Sequence, residues 1–204
     1  RNYGFHTKTF KYSITHMSNM LLDINKIKIL KEFSEDYRKR IYGRNIAKKL
    51  EMNQKTVSNI LKNLEKEHIL KYNKEGKNKY YYLNEFYPYL KEVIQIIETK
   101  RKIDFLLKYK ELKELFSKLE ERTNGILVIF GSYAKLTADE KSDLDVLVLG
   151  KIKNIQDLED MFNIKINLIK SEKKKFDKAE VFIKEIIKNH IILKGKEEFT
   201  DLLW

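Results

Sequence analysis

The sequence contains no cysteine, which excludes disulfides and zinc sites built on thiolates. One proline and seven glycines among 204 residues, together with 42% hydrophobic residues, exclude collagen-like and low-complexity chains and allow a packed core. No run of about eighteen apolar residues is present, so we expect no membrane span. The first twenty residues also lack the apolar core of a signal peptide. These absences predict a globular chain in the cytoplasm.

Negative charge is scarce in the first half of the chain. Residues 1–100 contain 21 Lys and Arg against 11 Asp and Glu, whereas residues 101–204 contain 21 against 19. Nearly all of the net charge of +12 therefore lies in the first half, which favours contact with a polyanion such as nucleic acid. A general bias towards lysine is the alternative, but such a bias would spread the excess evenly along the chain.

Residues 126–150 contain two apolar runs that read as strands, and the second run carries Asp143 and Asp145. Because side chains alternate along a strand, the two carboxylates project from one face. Neighbouring carboxylates repel each other, and a divalent cation such as Mg²⁺ or Mn²⁺ removes that repulsion. The alternative is an acidic pair that merely caps a sheet edge at the surface.

The segments F-G-S-Y-A-K and S-D-L-D-V-L-V resemble the signature of the polymerase β-type nucleotidyltransferase superfamily. They are most similar to its small minimal members, which are common in archaea and bacteria. The resemblance implies a Mg²⁺-dependent reaction in which a hydroxyl attacks the α-phosphate of an NTP, such as ATP, and pyrophosphate leaves.

The resemblance also implies roles for individual residues. Gly131 and Ser132 match the turn that holds the triphosphate, and Lys135 is placed to screen its charge. Asp143 and Asp145 match the two aspartates that bind metal.

The superfamily usually has a third carboxylate on a neighbouring strand, and the corresponding strand here is I-K-I-N-L-I. The position that aligns with the carboxylate is Asn167, whose amide is neutral and cannot take a proton. The sequence therefore supports binding of a metal and a nucleotide better than it supports catalysis. Two alternatives stay open: Glu180 or Glu185 substitutes for the missing carboxylate, or Asn167 is a solvent-facing residue on an edge strand.

The first half reads as three helices and a hairpin. Helices are predicted near residues 24–33, 44–50 and 54–67, with Asp23 and Asn53 as N-caps, and the hairpin that follows has Gly76 at its tip. The segment I-A-K-K-L-E-M-N-Q-K-T-V-S-N-I-L and the hairpin after it resemble a winged helix-turn-helix domain. The resemblance implies binding of double-stranded DNA, with the third helix in the major groove.

Polar and basic residues on the third helix and the hairpin are the candidate DNA contacts. They are Lys55, Ser58, Asn59, Lys62, Lys74, Lys77 and Lys79. The helix residues would face base edges, and the hairpin lysines would neutralise phosphates. The alternative is a solvated polar face on a protein–protein module.

Together these segments predict an α+β chain of two domains. An arm at 1–20, with a short strand within 9–14, precedes a winged helix-turn-helix domain at 21–87. Helices at 89–108 and 111–122 form a linker at 88–122, which ends in a turn at 123–125. A nucleotidyltransferase domain with a short mixed sheet occupies 123–204. The chain end, N-H-I-I-L-K-G-K-E-E-F, resembles archaeal proteins that join these two domains.

Three functions fit these observations. The first is an active nucleotidyltransferase brought to DNA by its winged helix, with a protein among the possible acceptors, since minimal members can modify proteins with AMP. The second is a DNA-binding regulator whose transferase-like domain binds nucleotide but is weak or silent in catalysis. The third is a scaffold, which the retained carboxylate pair argues against. The sequence leaves open whether the linker helices pair with a second copy in a homodimer.

Overall fold

The computed structural model describes residues 23–34 and 36–203. The predicted arm at 1–20 and the strand expected within 9–14 lie outside these residues. The chain divides into two compact units. The described residues of the amino-terminal unit are 23–33 and 37–90, and those of the carboxy-terminal unit are 34, 36 and 91–203.

The amino-terminal unit has the arrangement of a winged helix-turn-helix domain, as the sequence predicts. Its elements are α1 (Ile24–Lys31), β1 (Ile41–Tyr42), α2 (Gly43–Lys49), α3 (Gln54–Lys66), β2 (Leu70–Glu75) and β3 (Asn78–Leu83). The strands form an antiparallel sheet in the order β1-β3-β2. Helix α3 buries an apolar stripe that consists of Val57, Ile60, Leu61 and Leu64.

Local signals determine where α1, α3 and the hairpin begin and turn. The Asp23 carboxylate accepts the backbone N–H of Asn25 at 2.9 Å, and the Asn53 side chain accepts that of Lys55 at 2.8 Å. Both predicted N-caps are therefore confirmed, and each is worth about 1 kcal/mol. Gly76 adopts a φ of +60° at the hairpin tip, where glycine avoids the strain that a Cβ would cause.

The carboxy-terminal unit contains the predicted short mixed sheet. Its elements are α4 (Leu90–Lys108), α5 (Lys113–Arg122), β4 (Thr123–Ile129), α6 (Gly131–Ala134), β5 (Leu144–Ile152), α7 (Gln156–Phe162), β6 (Ile166–Ser171), α8 (Val181–Lys188), β7 (Ile191–Lys194) and α9 (Lys196–Leu203). The strand order is β6-β5-β4-β7. Strands β5 and β6 run parallel, and the other pairs run antiparallel. Within the described residues, no helix is long and apolar enough to cross a membrane.

Helices α4 and α5 pack inside the carboxy-terminal unit. Phe105 of α4 and Phe116 of α5 are buried, with ring centroids 4.8 Å apart, and they belong to the same core cluster as the sheet residues Ile129 and Val146. The sequence predicted residues 88–122 as a linker, whereas the contacts divide the chain after Leu90. Burial of these large side chains accounts for the difference.

Strand β4 begins at Thr123, and not at Ile126 as predicted. The turn expected at 123–125 is absent from the structure because Gly125 lies in β4 directly opposite Gly150 of β5. Their φ values are +123° and +145°, and a Cβ on either would overlap the backbone of the opposite strand. The glycines thus permit close pairing of two strands. The prediction of a turn was wrong because it took Gly125 as a turn residue.

The two faces of the sheet are covered by different helices. One face buries Leu127 and Ile129 in a cluster with residues of α5. The opposite face carries Val128, which is also buried, and helix α9 contacts β4 and β7. Because side chains alternate along the strands, one face of the sheet is covered by α5. The candidate site lies at one edge of the opposite face.

Candidate functional site

Three polar residues predicted from the sequence meet at one edge of the sheet. Asp145 of β5 and Asn167 of β6 are register partners on adjacent parallel strands. Asp143 is the residue immediately before β5. The Asn167 Nδ2 donates to Asp143 Oδ2 at 3.3 Å and to Asp145 Oδ1 at 3.1 Å. The side-chain amide of Asn167 therefore bridges the two carboxylates.

Lys165 is a fourth member of this cluster that the sequence reasoning missed. Its Nζ donates to Asp143 Oδ2 at 3.1 Å. This hydrogen bond, followed by the one from Asn167, holds the pKa of Asp143 below its usual value. The signal that identifies Lys165 is its position two residues before Asn167, which places both side chains on one face of the strand. Because Asp143 and Lys165 are 39% and 69% exposed, solvent weakens the ion pair.

Gly131 lies directly against Asp145. It has a φ of +66°, and a Cβ at this position would overlap Asp145 Oδ2. Glycine is therefore required both by backbone conformation and by space. Ser132 follows in α6, and its carbonyl accepts the backbone N–H of Thr137 at 3.0 Å. Lys135, at the end of α6, is exposed.

The donor set suits a hard divalent cation. Carboxylate oxygens are the ligands that Mg²⁺ and Mn²⁺ prefer. The Asn167 Nδ2, and not its amide oxygen, faces the two carboxylates. The residues present therefore fit one divalent cation held by Asp143 and Asp145.

In the part of the chain that the structure describes, no third carboxylate completes this set. Among residues 23–34 and 36–203, no group of three or more His, Cys, Asp or Glu is placed to hold a metal ion. Glu180 and Glu185, the alternatives left open by the sequence, belong to no such group in the described residues. Both are exposed, Glu180 at the N-cap of α8 and Glu185 within that helix.

The amino-terminal unit contains a basic cavity of about 270 Å³ between α2, α3 and the hairpin. The polar side chains that line it include those of Arg44, Gln54, Ser58, Lys62, Lys77 and Lys79. No Asp or Glu is among the lining residues. The cavity thus brings together positive charges and hydrogen-bond donors suited to an anion.

Four of the seven candidate DNA contacts line this cavity, namely Ser58, Lys62, Lys77 and Lys79. The other three, Lys55, Asn59 and Lys74, are exposed and lie outside the lining. Arg44 and Gln54 were missed, because the approach of α2 and the start of α3 to the hairpin is a tertiary contact with no local signal.

Two hairpin lysines oppose each other. Lys74 and Lys79 are direct register partners across β2 and β3, an arrangement of like charges that is destabilising. Lys79 Nζ lies 3.6 Å from the centroid of the Tyr72 ring and 3.8 Å from Glu65 Oε2. These contacts offset part of the repulsion, and an anion beside the hairpin would offset more.

Residues 109–199 match the family model of the nucleotidyltransferase domain. The match covers the turn at Gly131, both aspartates and Asn167. The match covers less than half of the chain and lies within the carboxy-terminal unit. No curated protein matches the chain in sequence.

Two solved structures are similar to parts of the chain. One is the homodimeric winged helix-turn-helix DNA-binding domain of a possible ArsR-family transcriptional regulator from Mycobacterium bovis, with 15% identity, a TM-score of 0.40, and coverage of 52% of this chain and 91% of that one. The other is a toxin-antitoxin with AMP-PNP, with 20% identity, a TM-score of 0.35, and coverage of 44% and 77%.

Proposed function

We propose that the carboxy-terminal unit binds an NTP together with Mg²⁺ or Mn²⁺ and transfers its nucleotidyl group to an acceptor. The observation that carries the proposal is the meeting of Asp143, Asp145 and Asn167 beside Gly131, within a segment that matches the nucleotidyltransferase domain. In this proposal the carboxylate pair binds the metal, and the neighbouring glycine turn binds the triphosphate.

Each residue has a distinct role in this proposal. Asp143 and Asp145 hold the cation, which when bound neutralises phosphate charge and favours attack at the α-phosphate. Gly131 lets the backbone approach the triphosphate closely, and the hydroxyl and backbone N–H of Ser132 donate to phosphate oxygens. Lys135 screens the phosphates from the exposed end of α6.

Asn167 orients the two carboxylates and does not act as a general base. A general base must accept a proton, and a side-chain amide has no such capacity near neutral pH. The hydrogen bonds from Asn167 to Asp143 and Asp145 hold both acids in one orientation. The acceptor hydroxyl is therefore deprotonated less effectively than at a site with three carboxylates, and we expect slow turnover.

A second candidate function is a DNA-binding regulator whose nucleotidyltransferase domain binds nucleotide with little or no catalysis. Asn167 favours this candidate because it satisfies the carboxylates with a neutral group. Lys165 favours it as well, since its ammonium already supplies a positive charge to Asp143. In both candidates the amino-terminal unit binds double-stranded DNA through the basic cavity and the exposed face of α3.

Calorimetry with ATP and Mg²⁺ tests the shared part of the two candidates. We expect binding by the full chain, and its loss in both Asp143→Ala and Asp145→Ala, because each variant removes a charged ligand. Asp139→Ala provides the control, since Asp139 is a nearby exposed carboxylate that bonds Ser142 and not the cluster. Unchanged affinity in both site variants would refute the proposed metal–nucleotide site.

Pyrophosphate release separates the transferase from the regulator. The full chain is incubated with each labelled NTP, with Mg²⁺ or Mn²⁺, and with protein and nucleic-acid acceptors. A transferase gives pyrophosphate and a labelled acceptor, and both signals disappear in Asp145→Ala. Nucleotide binding without release across all acceptors favours the regulator.

A further inference from the structure

An aromatic side chain stands beside the carboxylates on the same face of the sheet. The Phe130 backbone N–H donates to the Asp145 carbonyl at 3.0 Å, which continues the β4–β5 register by one pair beyond Ile129 and Val146. Cross-strand partners place their side chains on one face, about 5 Å apart at Cβ. Because Asn167 is the partner of Asp145 on the other side, the row across the sheet reads Phe130, Asp145, Asn167.

A second aromatic ring extends this row. The centroid of the Phe182 ring lies 5.6 Å from that of Phe130, with the ring planes at 87°, which is a favourable edge-to-face geometry. Phe182 is in the first turn of α8 and is 42% exposed, and its neighbour Val181 is 79% exposed. Helix α8 buries a different stripe, formed by Ile183 and Ile186. Phe182 therefore lies at the margin of the core, with much of its ring surface in water.

The position of the two rings suggests what covers them. An NTP has a charged end, which needs cations and backbone donors, and a flat aromatic end, which needs apolar surface. The charged end fits the carboxylates with their cation and the turn at Gly131, which directly follows Phe130. The flat end then lies close to Phe130 and Phe182. Of the groups that such a ligand carries, only the base matches an exposed aromatic surface.

We infer that Phe130 and Phe182 form the subsite for the nucleobase of the bound NTP. The inference rests on the proposed NTP site and adds a contact that neither the two aspartates nor the glycine turn provides. Every base has an aromatic face, so stacking on phenylalanine discriminates little between bases. We therefore expect similar affinities for ATP, GTP, CTP and UTP, and weaker binding of inorganic tripolyphosphate, which lacks a base.

Calorimetry of the full chain with Mg²⁺ and two probes, ATP and tripolyphosphate, tests the subsite. In Phe182→Ala we expect the affinity for ATP to fall by about tenfold, which is within the range for loss of one base–aromatic stack. The affinity for tripolyphosphate stays within twofold of the wild-type value. Phe182→Tyr keeps an aromatic face and retains ATP binding, and Val181→Ala, an exposed neighbour, binds both probes as the wild type does.

The outcomes are distinct. Equal loss of both probes in Phe182→Ala would contradict the inference, because the phosphate end would then be affected. Unchanged ATP affinity in Phe182→Ala, or wild-type binding of ATP no tighter than of tripolyphosphate, would also contradict it and leave the proposed metal–triphosphate site intact. Binding of neither probe by the wild type would refute the proposed function and the subsite together.

Discussion

The two units of the chain differ in how far their clustered charges are neutralised by neighbouring residues. In the amino-terminal unit, Arg44, Lys62 and Lys77 line a cavity that no carboxylate lines with them. In the carboxy-terminal unit, Asp143 and Asp145 receive hydrogen bonds from Asn167, and Asp143 also receives one from Lys165. The basic cavity thus gains most from an external anion, whereas the acidic site is already partly neutralised by its own residues.

The largest effect is expected at the basic cavity. The double charge reversal Lys62→Glu with Lys77→Glu should weaken duplex DNA binding by about 100-fold or more at moderate salt, because it removes two positive charges from the cavity and adds repulsion. The slope of log affinity against log salt should fall in magnitude by about two. Fluorescence anisotropy across a salt series measures both quantities.

A matched double variant tests whether the cavity is the focus of binding. Lys55→Glu with Lys74→Glu changes the net charge by the same amount, but both residues lie outside the lining. We expect a clearly smaller loss of affinity in this variant. Equal losses of affinity in the two double variants would mean that binding depends on overall charge. The cavity would then not be the focus of DNA binding.

The next effect is expected at the glycine of the acidic site. Gly131→Ala should lower the free energy of unfolding by about 1–3 kcal/mol and abolish ATP binding, since the new Cβ displaces the Asp145 carboxylate. Urea denaturation and calorimetry measure the two changes. Gly76→Ala is the control, because its φ is also near +60° but a Cβ there meets nothing within 4 Å. If the free energy of unfolding falls equally in both variants, overlap with Asp145 contributes nothing to the loss of stability in Gly131→Ala.

A third carboxylate added to the acidic site would sharpen its difference from the basic cavity. Asn167→Asp should raise the affinity for Mg²⁺ by about tenfold, because a third carboxylate joins the oxygen ligands. It should also make thermal stability depend on Mg²⁺, since three carboxylates without a cation repel each other. Asn124→Asp, an exposed change of the same charge in β4, should do neither. Thermal melts with and without Mg²⁺ decide, and a Mg²⁺-independent melt of Asn167→Asp would show that Asn167 lies away from any metal site.

The smallest effect is expected for Lys165. The lowered pKa of Asp143 contributes stability that is present above the unfolded-state pKa and is lost as pH falls through the folded-state pKa. Lys165→Met should raise the pKa of Asp143, so that the loss begins at a higher pH. Carboxyl chemical shifts in an NMR titration measure this change. Lys170→Met, on the same strand, should leave the titration unchanged, and an equal shift there would exclude a specific Lys165–Asp143 contact.

Features with a local cause were predictable from the sequence. The helix starts after Asp23 and Asn53, and the hairpin tip at Gly76, follow from side-chain caps and backbone conformation within a few residues. The pairing of Asp145 with Asn167 was predictable as well, because both lie on apolar strands joined by one short helix.

Features that depend on distant contacts were missed. The start of β4 was misplaced because Gly125 meets Gly150 across the sheet, and a glycine in a strand resembles a glycine in a turn when only the sequence is read. Arg44 and Phe182 were missed because their neighbours in space are remote in sequence. Periodicity indicates which residues are buried but not which exposed residues face one another.

Strand β6 is at the end of the strand order, with β5 as its neighbour in the sheet, whereas β5 lies between β6 and β4. The candidate site is therefore divided between an edge strand, which carries Asn167, and a central strand, which carries Asp145. Edge strands open to solvent at a lower free energy than central ones. Fraying of β6 would withdraw the bridging amide while the carboxylate of Asp145 stayed in place. The hydrogen bonding of the two carboxylates would then change with the opening of one strand.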